Sequence, residues 1–134
     1  MIQYCKGNIF DSQCLDLVCP VNTVGAMGKG LALQFRDRFK NLYPFYKKAC
    51  ANGYVRIGEL VWYQHVILFP TKESWRNPST LAYLESGLKV FASQRRKSTA
   101  FPMLGCGYGN LRWSNVKPLM ERYLMNYKVE VYIV

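Results

Sequence analysis

The sequence predicts an α/β fold in three layers, with a central mixed sheet and helices on both faces. Three observations carry that expectation. Short β-like runs alternate with stretches whose apolar residues recur at helical spacing. One run, Leu17–Asn22, is almost wholly apolar, as a strand covered on both faces must be. Two glycine-rich loops each lie between a β-like run and a helical stretch. The 134 residues, half of them hydrophobic and 15% aromatic, are expected to form one domain, 1–134, with a core that needs no cross-links.

The elements follow in order. Ile2–Lys6 reads as the first strand and Leu17–Asn22 as a central second. The turn Gly25–Gly30 leads into Leu31, Ala32, Phe35 and Phe39, which share one helical face. A second helix runs from about Pro44 to Asn52, with Gly53 as its stop. Glu59–Tyr63 and Val66–Phe69, joined by Gln64 and His65, suit a hairpin. Asn77, Pro78 and Ser79 open a helix to about Ser93, its inner stripe being Leu81, Leu84, Leu88 and Phe91. Thr99–Met103 is a further buried strand, and Leu104–Asn110 the second glycine loop. Ser114 is expected to cap a helix reaching about Asn126, and Val129–Val134 to close the sheet.

Composition narrows the function. Five cysteines, an odd number at irregular spacing, argue against a disulfide framework. Cys14 and Cys19 imitate half a zinc site, but no second pair follows and the sole histidine, His65, is distant; no metal is expected. Reduced, buried thiols fit a cytoplasmic protein. Lys6 interrupts the first apolar run, so no signal peptide is read, and no segment has the roughly 20 apolar residues of a membrane helix. The net charge of +10 favours polyanionic partners, and basic residues interleave with aromatics at Trp75-Arg76, Arg112-Trp113 and Tyr43–Lys48. The same charge would also serve solubility alone.

The two loops are the candidate site. In open α/β sheets ligands sit beyond the carboxyl ends of strands, where glycines bring backbone N–H groups close and a helix N-terminus adds its dipole. Two such loops suit a diphosphate better than a monophosphate. Neither is a GxGxxG or Walker motif, and glycines also simply make turns, so spacing alone leaves phosphate grip and plain turn both open. His65, without an evident carboxylate partner, reads as structural. Cys106 reads as a space-filler beneath the ligand, and Trp113 as a buttress.

The run from Val21 to Phe35, VNTVGAMGKGLALQF, resembles the first ligand loop of the macrodomain family. The likeness continues in Phe69-Pro70-Thr71-Lys72 with Trp75-Arg76, in Pro102–Gly107, and in Leu111-Arg112-Trp113. It is nearest the branch of the DarG DNA ADP-ribosyl glycohydrolases and the terminal ADP-ribose glycohydrolases. The resemblance implies a three-layer α/β/α macrodomain with ADP-ribose as ligand and product, and no cofactor.

Position by position, it implies that Asn22 contacts the distal ribose, while Gly25, Met27, Gly28, Lys29 and Gly30 wrap that ribose and one phosphate. Gly105, Cys106, Gly107, Tyr108 and Gly109 would hold the diphosphate, with Tyr108 towards the adenosine. Asn8 and Ile9 stand where many macrodomains place Gly-Asp at the adenine amino group; the Asn8 amide oxygen could accept that bond without charge assistance. Thr71 flanks Lys72, the residue expected to attack the anomeric carbon of the ring-opened distal ribose. Burial beside other cations would free its amine. Glutamate-directed relatives carry an aspartate at the position of Gly109, which puts deacylation of protein glutamate in doubt.

The resulting expectation is a monomeric, antitoxin-like hydrolase that removes ADP-ribose from thymidine in single-stranded DNA. Trp75 and Arg76 would contact the DNA, and a DNA ADP-ribosyltransferase would be its functional counterpart. A binding-only reader, an ADP-ribose 1″-phosphate phosphatase and a plain nucleic-acid-binding domain are the alternatives.

Overall fold

The computed structural model describes residues 1–74 and 76–133. Its elements are β1 (Ile2–Lys6), a short 3-10 helix (Ile9–Asp11), β2 (Asp16–Asn22), α1 (Gly30–Arg38), α2 (Leu42–Ala51), β3 (Val61–Tyr63), β4 (Val66–Lys72), α3 (Leu81–Ala92), β5 (Thr99–Pro102), α4 (Trp113–Leu124) and β6 (Val129–Ile133). The six strands form one mixed sheet in the order β1-β6-β5-β2-β4-β3. Every neighbouring pair is parallel except the β3–β4 hairpin. The expected three-layer α/β architecture is thus what the chain adopts.

Two cores lie on opposite faces. α3 and α4 cover one, with Leu84, Leu88, Phe91, Val116, Met120 and Leu124 against Val18, Ile67, Phe69, Phe101 and Val131. α1 and α2 cover the other, where Phe35, Leu42, Tyr46 and Ala49 meet Cys19, Val21, Val66 and Leu68. β2 and β4 supply side chains to both, which is why both runs are apolar at nearly every position. Gly87 allows α3 to sit directly on the sheet: a β-carbon there would stand 2.4 Å from the Phe69 ring.

Several expected boundaries move. α3 begins at Leu81, not Asn77, because Thr80 is the cap: its hydroxyl accepts from the Tyr83 N–H at 3.1 Å, a bond worth about 1 kcal/mol. Leu81, expected on the inner stripe, is 41% exposed because it opens the helix before the stripe reaches the sheet. Ser114 does not cap α4; cap and helix start both lie two residues earlier, with Arg112 in the extended cap position and no side-chain cap. α2 starts at Leu42, ahead of Pro44, and proline fits that first turn since its missing N–H has no intrahelical partner there. β6 inserts between β1 and β5 and is not an edge, so the last strand fills the sheet's interior. Among the described residues no helix is long and apolar enough to cross a membrane.

His65 has a carboxylate partner after all. Its Nδ1 lies 3.0 Å from Oδ1 of Asp16, which is 1% exposed at the start of β2, and Arg96 approaches the same carboxylate at 2.8 and 3.2 Å. The contact joins residues 49 positions apart, out of reach of a reading by local pattern.

Candidate active site

The site forms at the carboxyl end of the sheet, and it starts from prolines. Pro20 and Pro70 stand near the ends of β2 and β4, where the missing N–H of a proline weakens the ladder. Directly after Pro70 the register slips: Val21 faces Pro70, whereas Asn22 faces Lys72 and Thr71 is passed over. An irregularity of this kind re-aims the side chains that follow it. Thr71 and Lys72 consequently both line one large cavity of about 1110 Å³, the upper end of the size range for ligand pockets.

Fourteen of the sequence-selected residues border this cavity: Asn8, Ile9, Asn22, Gly28, Lys29, Gly30, Thr71, Lys72, Arg76 and Gly105–Gly109. Gly25 and Met27 do not. Met27 is 1% exposed and belongs to the core under α1, while Gly25, at φ +84°, turns its α-carbon towards Lys47 and Cys50 of α2. They shape the first loop from behind, outside the lining of the cavity. Trp75 lies outside the described residues.

Asn22 is the loop's anchor. Its Oδ1 accepts from the N–H groups of Val24 and Ala26 at 3.1 and 3.2 Å and from the Tyr46 hydroxyl at 2.7 Å; its Nδ2 donates to the Ala26 carbonyl at 3.0 Å. An asparagine amide has two donors, so one proton is left for a ligand. With the turn held in this way, α1 starts at Gly30 without a side-chain cap. Among the described residues the amides of Gly30, Leu31 and Ala32 find no protein acceptor, nor do those of Gly107, Tyr108 and Gly109 across the cavity. Two opposed sets of open N–H groups, one at a helix N-terminus, form an anion cradle.

The loops touch through Tyr108. A β-carbon on Gly30 would stand 3.0 Å from its ring, and Lys29 Nζ lies 5.7 Å from the ring centre. The Tyr108 carbonyl accepts from Lys72 Nζ at 3.3 Å, so this residue stands at the lysine end of the cavity and not at the Asn8 end where the adenosine was expected. Lys72 itself is 9% exposed. Burial, and then the charge of Lys29, hold its ammonium below the ordinary lysine pKa, which raises the share of neutral, nucleophilic amine.

Gly109 is glycine for a reason the sequence did not show. A β-carbon there would stand 2.5 Å from the Gly105 carbonyl oxygen and 2.6 Å from Ser79 Oγ. The loop as folded has no room for any side chain at this position, carboxylates included. At the opposite end Asn8 caps the 3-10 helix, its Oδ1 accepting from Phe10 N–H at 2.9 Å, with a second lone pair remaining. Tyr132 joins Asn8 in the lining because β6 lies beside β1, a placement no local pattern announces. Gln34, four residues into α1, and Asn77 were also missed, each carrying no motif of its own. Cys106 borders the cavity, and burial pushes its thiol up, away from the reactive form. Among the described residues no three His, Cys, Asp or Glu side chains gather as a metal site would need.

Residues 18–120 match the Macro domain. The chain belongs to this family. A solved structure of the macrodomain of Thermus aquaticus DarG superposes with a TM-score of 0.94 at 39% identity, covering 100% of this chain and 99% of that one. The macrodomain portion of Thermosipho africanus DarTG, solved in complex with ADP-ribose, gives a TM-score of 0.91 at 35% identity over 98% of this chain and 42% of that one. Among curated relatives, a DNA ADP-ribosyl glycohydrolase of Thermus aquaticus is 40% identical over 136 residues, 92% of this chain and 38% of the relative. One of Mycobacterium tuberculosis is 41% identical over 129 residues, 87% of this chain and 37% of the relative. The chain therefore spans about two fifths of the length of the curated relatives it matches.

Proposed function

We propose that this macrodomain is an ADP-ribosyl glycohydrolase that removes ADP-ribose from thymidine in single-stranded DNA. The observation that carries the reading is Lys72: a buried lysine with a lowered pKa, set by a register slip between two loops whose open amides suit a diphosphate. Relatives named DNA ADP-ribosyl glycohydrolases, and one named a fusion of DNA ADP-ribosyltransferase with such a glycohydrolase, support the substrate and an antitoxin-like pairing with a transferase. In this reading the protein acts as a cytoplasmic monomer without a cofactor, and residues 1–134 form one domain.

The amides of Gly30–Ala32 and Gly107–Gly109 hold the diphosphate, Asn8 and Tyr132 receive the adenosine, and the distal ribose falls against Asn22 and Lys72. With the ring opened, its ring oxygen protonated and C1″ doubly bonded to the base nitrogen, Nζ of Lys72 adds its lone pair to C1″ and the π pair returns to that nitrogen. The bond from C1″ to the base breaks, its electron pair leaves with the base, and the base takes the proton that Nζ gives up. Water then hydrolyses the imine left on Nζ and frees ADP-ribose.

Gly109 supports a second reading, ADP-ribose binding without turnover, since the loop can hold no carboxylate to assist proton transfer. One experiment separates the two. A single-stranded oligonucleotide carrying ADP-ribosyl-thymidine is incubated with the protein and with Lys72→Ala. Release of ADP-ribose by the first, reduced about 100-fold or more in the second, supports the hydrolase. Tight ADP-ribose binding with the modified DNA left intact supports the reader.

A further inference from the structure

Residues 29–56 carry seven of the chain's eighteen Lys and Arg and one acid, Asp37, so more than half of its net charge of +10 falls on α1, α2 and their flanks. The inner sides of these helices are committed to the core through Phe35, Leu42, Tyr46 and Ala49. Their outer sides hold cations against aromatic rings. The Arg36 guanidinium lies 4.0 Å from the centre of the Tyr43 ring, and Lys47, one turn along α2, reaches to 5.8 Å of the same ring. Arg38 sits 4.3 Å from the centre of Phe10.

Three arginines are paired with carboxylates: Arg96 with Asp16, Arg122 with Glu85 and, at the far end of this segment, Arg56 with Glu59. Among the described residues, Arg36, Arg38 and Lys47 form no ion pair. Two aromatic side chains on the same segment, Phe45 and Tyr54, stand 37% and 65% exposed. The face also backs onto the first loop of the site. Cγ of Lys47 lies 3.7 Å from where a β-carbon on Gly25 would stand, in the loop that Asn22 anchors.

We propose that the outer face of α1 and α2 is the track on which single-stranded nucleic acid lies, with Arg36, Tyr43 and Lys47 as its central grip. The inference rests on the glycohydrolase reading and extends it from the modified nucleotide to its neighbours. Cations beside aromatic faces bind a flexible phosphate chain with unstacked bases, and a base whose sugar adduct enters a deep cavity must already be out of a duplex. Neither Arg36 nor Lys47 lines the cavity, so the track contributes to holding the strand and not to holding ADP-ribose.

The test uses the whole chain, an unmodified single-stranded oligonucleotide of about a dozen nucleotides, in the range of known single-strand site sizes, and fluorescence anisotropy across a salt series. Arg36→Gln with Lys47→Gln is expected to weaken binding about tenfold and to lower the slope of log affinity against log salt by about 1.4, two phosphate contacts at about 0.7 each. ADP-ribose affinity should stay unchanged, which also shows that the double variant folds. Arg36→Lys with Lys47→Arg should restore most of the binding. Lys89→Gln with Lys128→Gln removes the same charge away from α1 and α2 and should change little.

Equal losses in the two Gln pairs, or none in the first, overturn the track and leave the face to a protein partner. Release of ADP-ribose from modified DNA is read separately. Weakened strand binding in the double variant, with no release even by the unaltered protein, keeps the track and defeats the hydrolase reading. Release whose KM for modified DNA is untouched by the double variant does the reverse.

Discussion

Asp16 and Lys72 stand at opposite ends of the same pair of parallel strands, β2 and β4, each with its charge almost wholly withdrawn from water. Their surroundings treat the two charges in opposite ways. Burial alone would raise the Asp16 carboxyl, but hydrogen bonds from Arg96 and then His65 outweigh it and hold the pKa below the ordinary carboxylate value. At Lys72 burial and Lys29 act in the same direction, and the ammonium is disfavoured. One end of the sheet settles a charge and the other unsettles one. The contrast separates the part of the molecule that maintains the fold from the part that is chemically poised.

The largest expected effect lies at the unsettled end. Lys72→Ala should cost about 100-fold or more in ADP-ribose release while leaving the melting temperature unchanged or raised, since it deletes a buried cation. Lys72→Arg should be equally inactive, because a guanidinium does not give up its proton. The pH dependence follows from linkage. A lysine whose folded pKa is lowered binds fewer protons in the native state than in the unfolded one across the interval between the two values, so stability rises with pH there. Release should rise with pH as well, levelling off below the ordinary lysine pKa. A rate that is flat from neutral pH upward would remove the lysine from the rate-determining chemistry.

Next comes the loop facing it. Gly109→Asp places a side chain where 2.5 Å separates a β-carbon from a carbonyl oxygen, so the loop must move; about 2–3 kcal/mol of stability and about tenfold in ADP-ribose affinity should go with it. Restored or increased hydrolysis in this variant would show that the loop tolerates the acid and that its absence limits turnover. At the settled end, Asp16→Asn should cost about 2 kcal/mol in chemical denaturation and leave the rate per folded molecule alone. For the same carboxylate a lowered folded pKa means stability present above the unfolded value and lost as pH falls through the folded one. The variant should therefore lose the share of acid sensitivity that Asp16 contributes, beside that of Glu85 and Glu130, whose carboxyls are also held low.

The same contrast explains what could be read without coordinates. Runs such as Val18–Val21 and Val66–Phe69 announce buried strands because burial on both faces leaves its mark on each position. The glycine loops mark a candidate site without deciding between ligand grip and plain turn, and the macrodomain resemblance, not local pattern, singles out Lys72. What escaped depends on residues distant in sequence. Asp16 meets Arg96 and His65 only once the sheet forms, and Tyr132 joins Asn8 in the cavity lining only because β6 inserts beside β1. Met27 and Gly25 sit within a ligand motif yet face inward, since motif membership says nothing of which way a side chain turns. Thr80 caps α3 after the Asn77-Pro78-Ser79 run expected to open it, a shift of a few residues that composition does not decide when several neighbours can cap.

The smallest effect sharpens the comparison most. Asp16 has two partners, and their exposures differ: the Arg96 side chain is 34% exposed and bound through two nitrogens, whereas that of His65 is 67% exposed and bound through one. A partner that keeps most of its contact with water contributes little, as surface ion pairs do, so His65→Ala should cost no more than about 0.5–1 kcal/mol. Arg96→Ala should cost more, since it takes two charge-assisted bonds from a carboxylate 1% exposed. If chemical denaturation gave His65 the larger share, the carboxylate would be settled by the histidine at the turn between β3 and β4. The hairpin, and not the segment leading into β5, would then be the element that anchors this end of the sheet.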